Sequence, residues 1–400
     1  MTMLSPEYMT AKEAAADLQV SLATLYAYVS RGIIQSEART GTRARRYLAS
    51  EIRALAEKNR VEAKPAETRD PLSFGAPLLE SEMSCTDGER LYFRGRDAAL
   101  LAETSQNLES VAALLWDYST EEDFTSFVPF LDINCRAIRE MTKNESPLIR
   151  AQMILPLLGQ LDPRAYDISE TGVARAGMMI LRFITSLVAV VEPSNAPTHE
   201  VLATSWNLRD DTQILRSALI LAADHELNSS TFAVRVVASA RAPLYQAIAT
   251  GLATLQGAHH GGEIERASRF LKDIKDAPQN PERVITDWMR RGDKISGFGH
   301  PLYPKADPRA QTLLRMMRAK SRSDAQSACL YAVDVAQNVT GKSLNFEGAL
   351  AALAIYLGLP WEVGLYVLAI GRVVGWIGHA GEQYKSQKLI RPRAHYIGVR

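Results

Sequence analysis

Cysteine is scarce in this chain. Cys85, Cys135 and Cys329, in 400 residues, are too few and too scattered for a disulfide framework or a thiolate metal site, which points to a reducing, cytoplasmic setting. Charge of one sign is also missing: the formal net charge is +1, so the chain as a whole exerts no pull on nucleic acid or membrane, and any basic patch is local. Long hydrophobic runs are absent. The most apolar stretch, Met178 to Val191, is short and interrupted by Arg182, and the opening MTMLSPEYMT lacks a basic-then-apolar leader pattern, so neither a membrane span nor export is expected. Beyond residue 70, strand signals are nearly confined to RLYFR at 90–94, and there is no internal repeat or low-complexity segment. What is present is 46% hydrophobic residues in a chain long enough for two or three domains.

Residues 10–30 hold two short helical patterns, Ala14, Ala15 and Leu18 on one face and Leu25, Tyr26 and Val29 on another, with Ser21 placed to cap the second helix. After Gly32, the stretch RTGTRARRY (39–47) reads as a hairpin turning at Gly41 whose arms carry Arg39, Arg43, Arg45 and Arg46. From Arg39 to Arg60 there are seven basic and two acidic residues, the footprint of a wing touching phosphates. This opening resembles the MerR and excisionase type of winged helix-turn-helix, with Ala23, Thr24, Tyr26 and Tyr28 on or beside the recognition helix. DNA contact through Arg43, Arg45 and Arg46 is the functional expectation; the structural alternative is a small helical domain that serves assembly alone.

The polar stretch KNRVEAKPAETRD (58–70), with Pro65 and no apolar period, reads as a linker. We therefore expect a winged domain over 1–60, a linker over 61–74 and a large body over 75–400. Beyond the linker, apolar residues recur at three- and four-residue spacing over 107–118, 147–160, 173–191, 212–223, 231–255, 264–275, 309–320, 324–339, 347–357 and 361–380. The body is predicted to be all-α, with its chemistry in the loops between helices.

Four stretches put a histidine or carboxylate at a loop-to-helix junction: ADHELNSSTFAVR (223–235), GAHHGGEIERA (257–267), GFGHPLYPKADPR (297–309) and LNFEGALAALA (344–354). Two more, GRVVGW (371–376) and IRPRAHYIG (390–398), supply arginines. Guanidinium forks suit a substrate rich in carboxylates. Histidines in glycine turns suit donors aimed at a developing oxyanion. His259 beside His260 does not make a metal site, because adjacent residues diverge and no second ligand pair has suitable spacing; no metal is expected.

In their order, these motifs resemble the citrate synthase family, beginning at DGERLYFRGRD (87–97) and running to the C-terminus. The resemblance implies a citrate-synthase-like fold of a large and a small helical subdomain, the small one spanning approximately 260–360. It also implies His260 as donor to the thioester carbonyl of acetyl-CoA and His300 as donor to the ketone of oxaloacetate. His225, Arg309 and Arg372 would bind substrate carboxylates, joined by Arg391 from the neighbouring subunit of a homodimer or larger homo-oligomer. No permanently bound cofactor is implied, since the coenzyme A thioester is a substrate.

The sequence departs from the family at the base. Aligning back from Leu357-Gly358-Leu359-Pro360 places Glu347 where the family carries Asp, with Asn345 on the family's Asn. Two further departures are GGEIE at 261–265, where GGANE is common, and Pro304, where a basic residue often reaches a CoA phosphate; Lys305 and other basic residues are left for that task. Structural alternatives stand beside these readings: His225 as a cap for the helix starting near Ser229, Glu347 as a carboxylate favoured by the helix dipole, and His199, His379 and His395 as structural residues.

The expected reaction is condensation of acetyl-CoA with oxaloacetate to citrate and CoA. One rival is 2-methylcitrate formation from propionyl-CoA. Another is a DNA-binding regulator using the fold as a metabolite sensor, which needs binding groups but no base.

Overall fold

The structure, a computed structural model, describes residues 8–18, 25, 28–29, 34–38, 45–49, 52, 78–105, 107–118, 124, 126–129 and 133–399. Of the residues singled out above, Ser21, Ala23, Thr24, Tyr26, Arg39, Gly41, Arg43 and the linker lie outside the described residues, as does the side chain of Cys135. The chain divides into two units, Met1–Leu78 and Leu79–Arg400.

In the first unit, Thr10 starts the Ala11–Asp17 helix through a capping box. Its hydroxyl accepts from the Glu13 N–H, and its own N–H donates to the Glu13 carboxylate at 2.8 Å. Ala14, Ala15 and Leu18 turn inward, as the sequence pattern predicts, onto a small core with Leu25, Ile34, Tyr47 and Ile52. A three-stranded antiparallel sheet closes this unit, with Arg45–Leu48 in the middle between Tyr8–Thr10 and Glu37–Ala38. Of the hairpin expected over 39–47, the described part is the strand that carries Arg45, Arg46 and Tyr47; its partner at 37–38 precedes the predicted arm, and the Tyr8–Thr10 strand is an addition, too short to leave a periodic signal.

The second unit opens on another small sheet, in which Leu91–Phe93 pairs with Ser84–Thr86 on one side and Arg96–Asp97 on the other. Everything after it among the described residues is helix and connection. The predicted run 231–255 is two helices, Ser229–Ser239 and Leu244–Leu255, because Pro243 and the positive φ of Arg241 (58°) break it. Short helices at Ala98–Thr104, Thr198–Ser205 and Pro281–Arg290 had no long apolar period to announce them.

Two helices, Glu170–Ala189 and Glu362–Ser386, are long and apolar enough to cross a membrane, but 94% of each apolar window is buried inside the protein. They are core helices. In the second, Val367, Leu368, Ile370, Val373, Val374 and Ile377 are at most 1% exposed, each contributing roughly 1.5–3 kcal/mol of burial. Its glycines permit close backbone approach. A Cβ on Gly371 would stand 2.5 Å from Ala222 Cβ, and one on Gly375 would strike the carbonyl of Ala223, to which the Gly375 N–H donates at 2.9 Å. The GRVVGW motif is thus a seat for residues 222–223, with Arg372 held between its two glycines.

Candidate active site

The seat fixes the turn that carries His225. Arg372, 2% exposed, donates through Nε to the carbonyl of Ala222 at 3.0 Å, leaving its terminal nitrogens free of that bond. Burial pulls Arg372 down to about 10, against the raising influence of Asp224; the neighbouring Arg309 lowers it further and Glu347 raises it. His225 is not the cap of the following helix. Asn228 is, accepting from the Thr231 N–H at 3.0 Å. His225 instead places its Nε2 2.9 Å from Tyr303 Oη.

Tyr303 brings two predicted histidines together. Its ring lies 5.1 Å from that of His300 and 5.6 Å from that of His225, and the two imidazoles meet edge to face at 5.1 Å. Burial holds His225 well below the ordinary histidine range, helped by the charges of Arg309, His300 and Arg372. His300 is lowered by burial first and by Arg309 second, while Asp307 and Glu347 oppose the shift. Both rings are therefore neutral near pH 7. The Leu302 N–H donates to His300 Nδ1 at 3.1 Å, so the single ring proton sits on Nε2, available as a donor.

Arg309 is anchored by Asp307. Nε and Nη2 both donate to that carboxylate, at 3.0 and 2.7 Å, and neither side chain is more than 2% exposed. Burial alone would lower the Arg309 guanidinium; Asp307, joined by Tyr303 and Glu347, outweighs it and holds it above its usual value. The Phe346 ring lies under the guanidinium, 4.6 Å from centroid to Cζ. Asp307 also accepts the Phe346 N–H at 3.1 Å, joining the arginine to the start of the Phe346–Tyr356 helix. Glu347, half-buried, stands in the first turn of that helix, whose cap Asn345 accepts from the Gly348 N–H and donates to the Gly299 carbonyl at 3.0 Å. Asn345 N–H reaches the Gly297 carbonyl at 2.9 Å, so the His300 turn and the Glu347 turn are stitched together. The charge of Glu347 acts on His300, Arg309 and Arg372 alike, which puts all four in one field.

His260 stands at the end of a separate polar chain. Its Nε2 is 2.9 Å from Ser230 Oγ, which donates to Asn228 Oδ1 at 2.8 Å and accepts from the indole N–H of Trp376 at 3.3 Å. Ser230 gives its one hydrogen to Asn228; were the hydroxyl to turn and donate to His260 Nε2 instead, the neutral imidazole would carry its proton on Nδ1. Burial, with Arg372 second, draws His260 down to about 4.

Arg391 is exposed in the extended segment after the last helix. Lys305, a candidate for CoA phosphates, pairs with Glu89 at 2.7 Å. In the first unit, Arg46 pairs with Glu37 at 2.9 Å and lies 4.0 Å over the Tyr8 ring, and Arg45 reaches the Ser36 carbonyl at 3.5 Å. Among the described residues no three His, Cys, Asp or Glu side chains gather as a metal site. Sequence reasoning missed Ser230, Tyr303 and Asp307. Asp307 alone had a signal, being an Asp-Pro pair at a helix start.

This arrangement has known counterparts. The family described as "Citrate synthase, C-terminal domain" matches residues 72–393, and the one described as "Helix-turn-helix domain" matches residues 8–60. The citrate synthase of Haloferax volcanii is 30% identical over 362 residues, covering 81% of this chain and 94% of that protein. A 2-methylcitrate synthase of Shewanella oneidensis is 33% identical over 193 residues, 47% of this chain and 51% of that protein. Among solved structures, citrate synthase from Thermotoga maritima superimposes with a TM-score of 0.67 at 26% identity, over 83% of this chain and 96% of that one. The Thermoplasma acidophilum enzyme, solved as a ternary complex with carboxymethyl coenzyme A and oxaloacetate, shares the fold at a TM-score of 0.68 and 22% identity, over 81% and 95% of the two chains. Fold, motif order and relatives converge on one conclusion: this chain belongs to the citrate synthase family, as a synthase-type transferase acting on a coenzyme A thioester, with a helix-turn-helix domain ahead of it.

Proposed function

We propose that the protein condenses acetyl-CoA with oxaloacetate, consuming water and releasing citrate and CoA. The observation that carries this reading is the meeting of His225, His300 and Tyr303 within about one ring width, beside an arginine whose fork is fixed by Asp307. Arg309, Arg372 and His225 would hold the carboxylates of a keto diacid. His300, neutral with its proton on Nε2, would donate to the ketone oxygen as negative charge gathers there. Glu347 would take the α-proton of the thioester, while His260 donates to the carbonyl oxygen that becomes the enol. A thioester α-proton is far less acidic than a carboxylic acid, so neither act succeeds alone. The new carbon–carbon bond forms between the enol carbon and the ketone carbon, and water then cleaves the thioester, giving the free thiol. Steady-state release of thiol with both substrates, with citrate identified by mass, tests the reading; no release with either acetyl- or propionyl-CoA overturns it.

The similarity to a 2-methylcitrate synthase supports a second reading, propionyl-CoA as the preferred thioester. The two acyl groups differ by one methylene, worth about 10- to 200-fold discrimination at most. The ratio of kcat/KM for the two thioesters decides between them.

The reading includes a homodimer in which Arg391 enters the partner subunit's site; its exposure beyond the final helix supports this. It also includes weak duplex DNA binding by the first unit. Because Arg46 is engaged by Glu37 and Tyr8, Arg43 and Arg45 would bear more of the phosphate contact. A titration against genomic fragments at two salt concentrations tests this, with affinity falling steeply as salt rises; no binding at low salt refutes it.

A further inference from the structure

Ser84 lies far from His225 in sequence and was not among the residues the motifs singled out. Its hydroxyl donates to Asp224 Oδ2 at 2.5 Å and accepts the Glu226 N–H at 3.0 Å. These are the two chain neighbours of His225, so one hydroxyl brackets the histidine on both sides. The bracket is needed. Glu226 has a φ of 51°, a left-handed conformation costly for a residue with a side chain, which persists only where the surroundings enforce it. The same strand reinforces the bracket, since the Thr86 N–H donates to Glu226 Oε1 at 3.2 Å.

Asp224 is wholly buried, and its second attachment is His379, whose Nε2 lies 3.3 Å away. The His379 Nδ1 is 3.7 Å from Glu382, which pairs with Arg235 at 3.2 Å. His379 and Glu382 belong to the same helix as Arg372. Residues 222–226 are therefore tied to the long helix on one side and to the small sheet on the other.

We propose that Ser84 is a positioning residue for substrate binding, acting through His225 by fixing the backbone on both sides of it. This rests on the reading of His225 as a ligand of the keto diacid. Ser84→Ala removes both bonds without adding bulk, and displacement of a binding group by about 1 Å costs on the order of a hundredfold. The KM for oxaloacetate should rise roughly ten- to a hundredfold, with the acyl-CoA KM unchanged and kcat affected much less. Ser84→Thr keeps the hydroxyl and should restore the oxaloacetate KM to near wild type. Thermal unfolding of each variant is measured alongside: a hydroxyl that serves stability alone would lower the melting temperature and leave the oxaloacetate KM where it was. That outcome, or equal effects on both substrates, overturns the proposal. Wild-type turnover is the separate control, because its absence would sink the synthase reading itself and not the role of Ser84.

Discussion

Gly297 and Gly348 are pressed together so closely that neither can carry a side chain. A Cβ on Gly297 would stand 2.9 Å from Gly348 Cα, and one on Gly348 would strike the Gly297 carbonyl. Gly297 has a φ of 89°, closed to other residues on conformational grounds as well. Through this contact, the turn bearing His300 rests against the turn bearing Glu347. Gly348→Ala should therefore cost about 1–3 kcal/mol of stability by overpacking and lower kcat by at least tenfold, roughly what a misplaced base implies. Thermal unfolding and turnover on the same preparation check it; an alanine variant with unchanged kcat would show that the two turns need no fixed spacing.

On the proposed reading, substitution of Glu347 separates chemistry from binding. Glu347→Gln keeps shape and hydrogen bonding but cannot accept a proton, so turnover should collapse while oxaloacetate still binds. Glu347→Asp draws the carboxylate back by one carbon and should retain partial activity, about a hundredfold down if the base shifts by about 1 Å. Calorimetric binding and single-turnover assays give the two readouts. Wild-type rates from the Gln variant would remove Glu347 from the mechanism.

The origin of Arg391 is open to complementation. Neither Arg391→Ala nor His300→Ala should turn over alone, but mixed dimers of the two should recover one competent site. Activity is measured after co-refolding, with heterodimers separated by differential tags. Inactive heterodimers would contradict donation of Arg391 across the subunit boundary.

Acid sensitivity follows from His260. Its folded value of about 4 lies below the ordinary 6.5 because burial, and Arg372 after it, disfavour the charged ring. Between these values the unfolded chain binds a proton that the folded one refuses, so stability falls as pH drops from about 6.5 to about 4. His225 and His300, lowered for related reasons, add to the loss in the same direction. Denaturant titrations across pH 4–8 measure this, and His260→Gln should flatten the slope. A slope unchanged by that substitution would mean that His260 titrates normally.

Much of this architecture could be read in advance, for identifiable reasons. Long helices such as Glu170–Ala189 and Thr212–Ala222 bury one broad face and so print their period in the sequence. GFGH and HHGG marked His300 and His260, since glycines at turns constrain few other outcomes. Ser84 was invisible because its strand has three residues and its partners are 140 and 142 positions away. Tyr303 passed without notice inside GFGHPLYPKADPR, and it is the fold that sets His225 against it. Only three-dimensional closure supplies such contacts, and a lone serine or tyrosine carries no trace of them.

The chelation of Arg309 by Asp307 bears on handedness. With Nε and Nη2 tied to one carboxylate, the guanidinium cannot rotate, so it offers an approaching anion a single edge in a single plane. On the proposed reading, a ketone held there, with its second carboxylate drawn to Arg372, would turn one fixed face toward the thioester. Attack from that face alone would turn a flat, prochiral carbon into a centre whose two chemically identical arms keep separate histories. If acetyl-CoA is the thioester, as proposed, isotope introduced through its acetyl group would remain in one arm of the product.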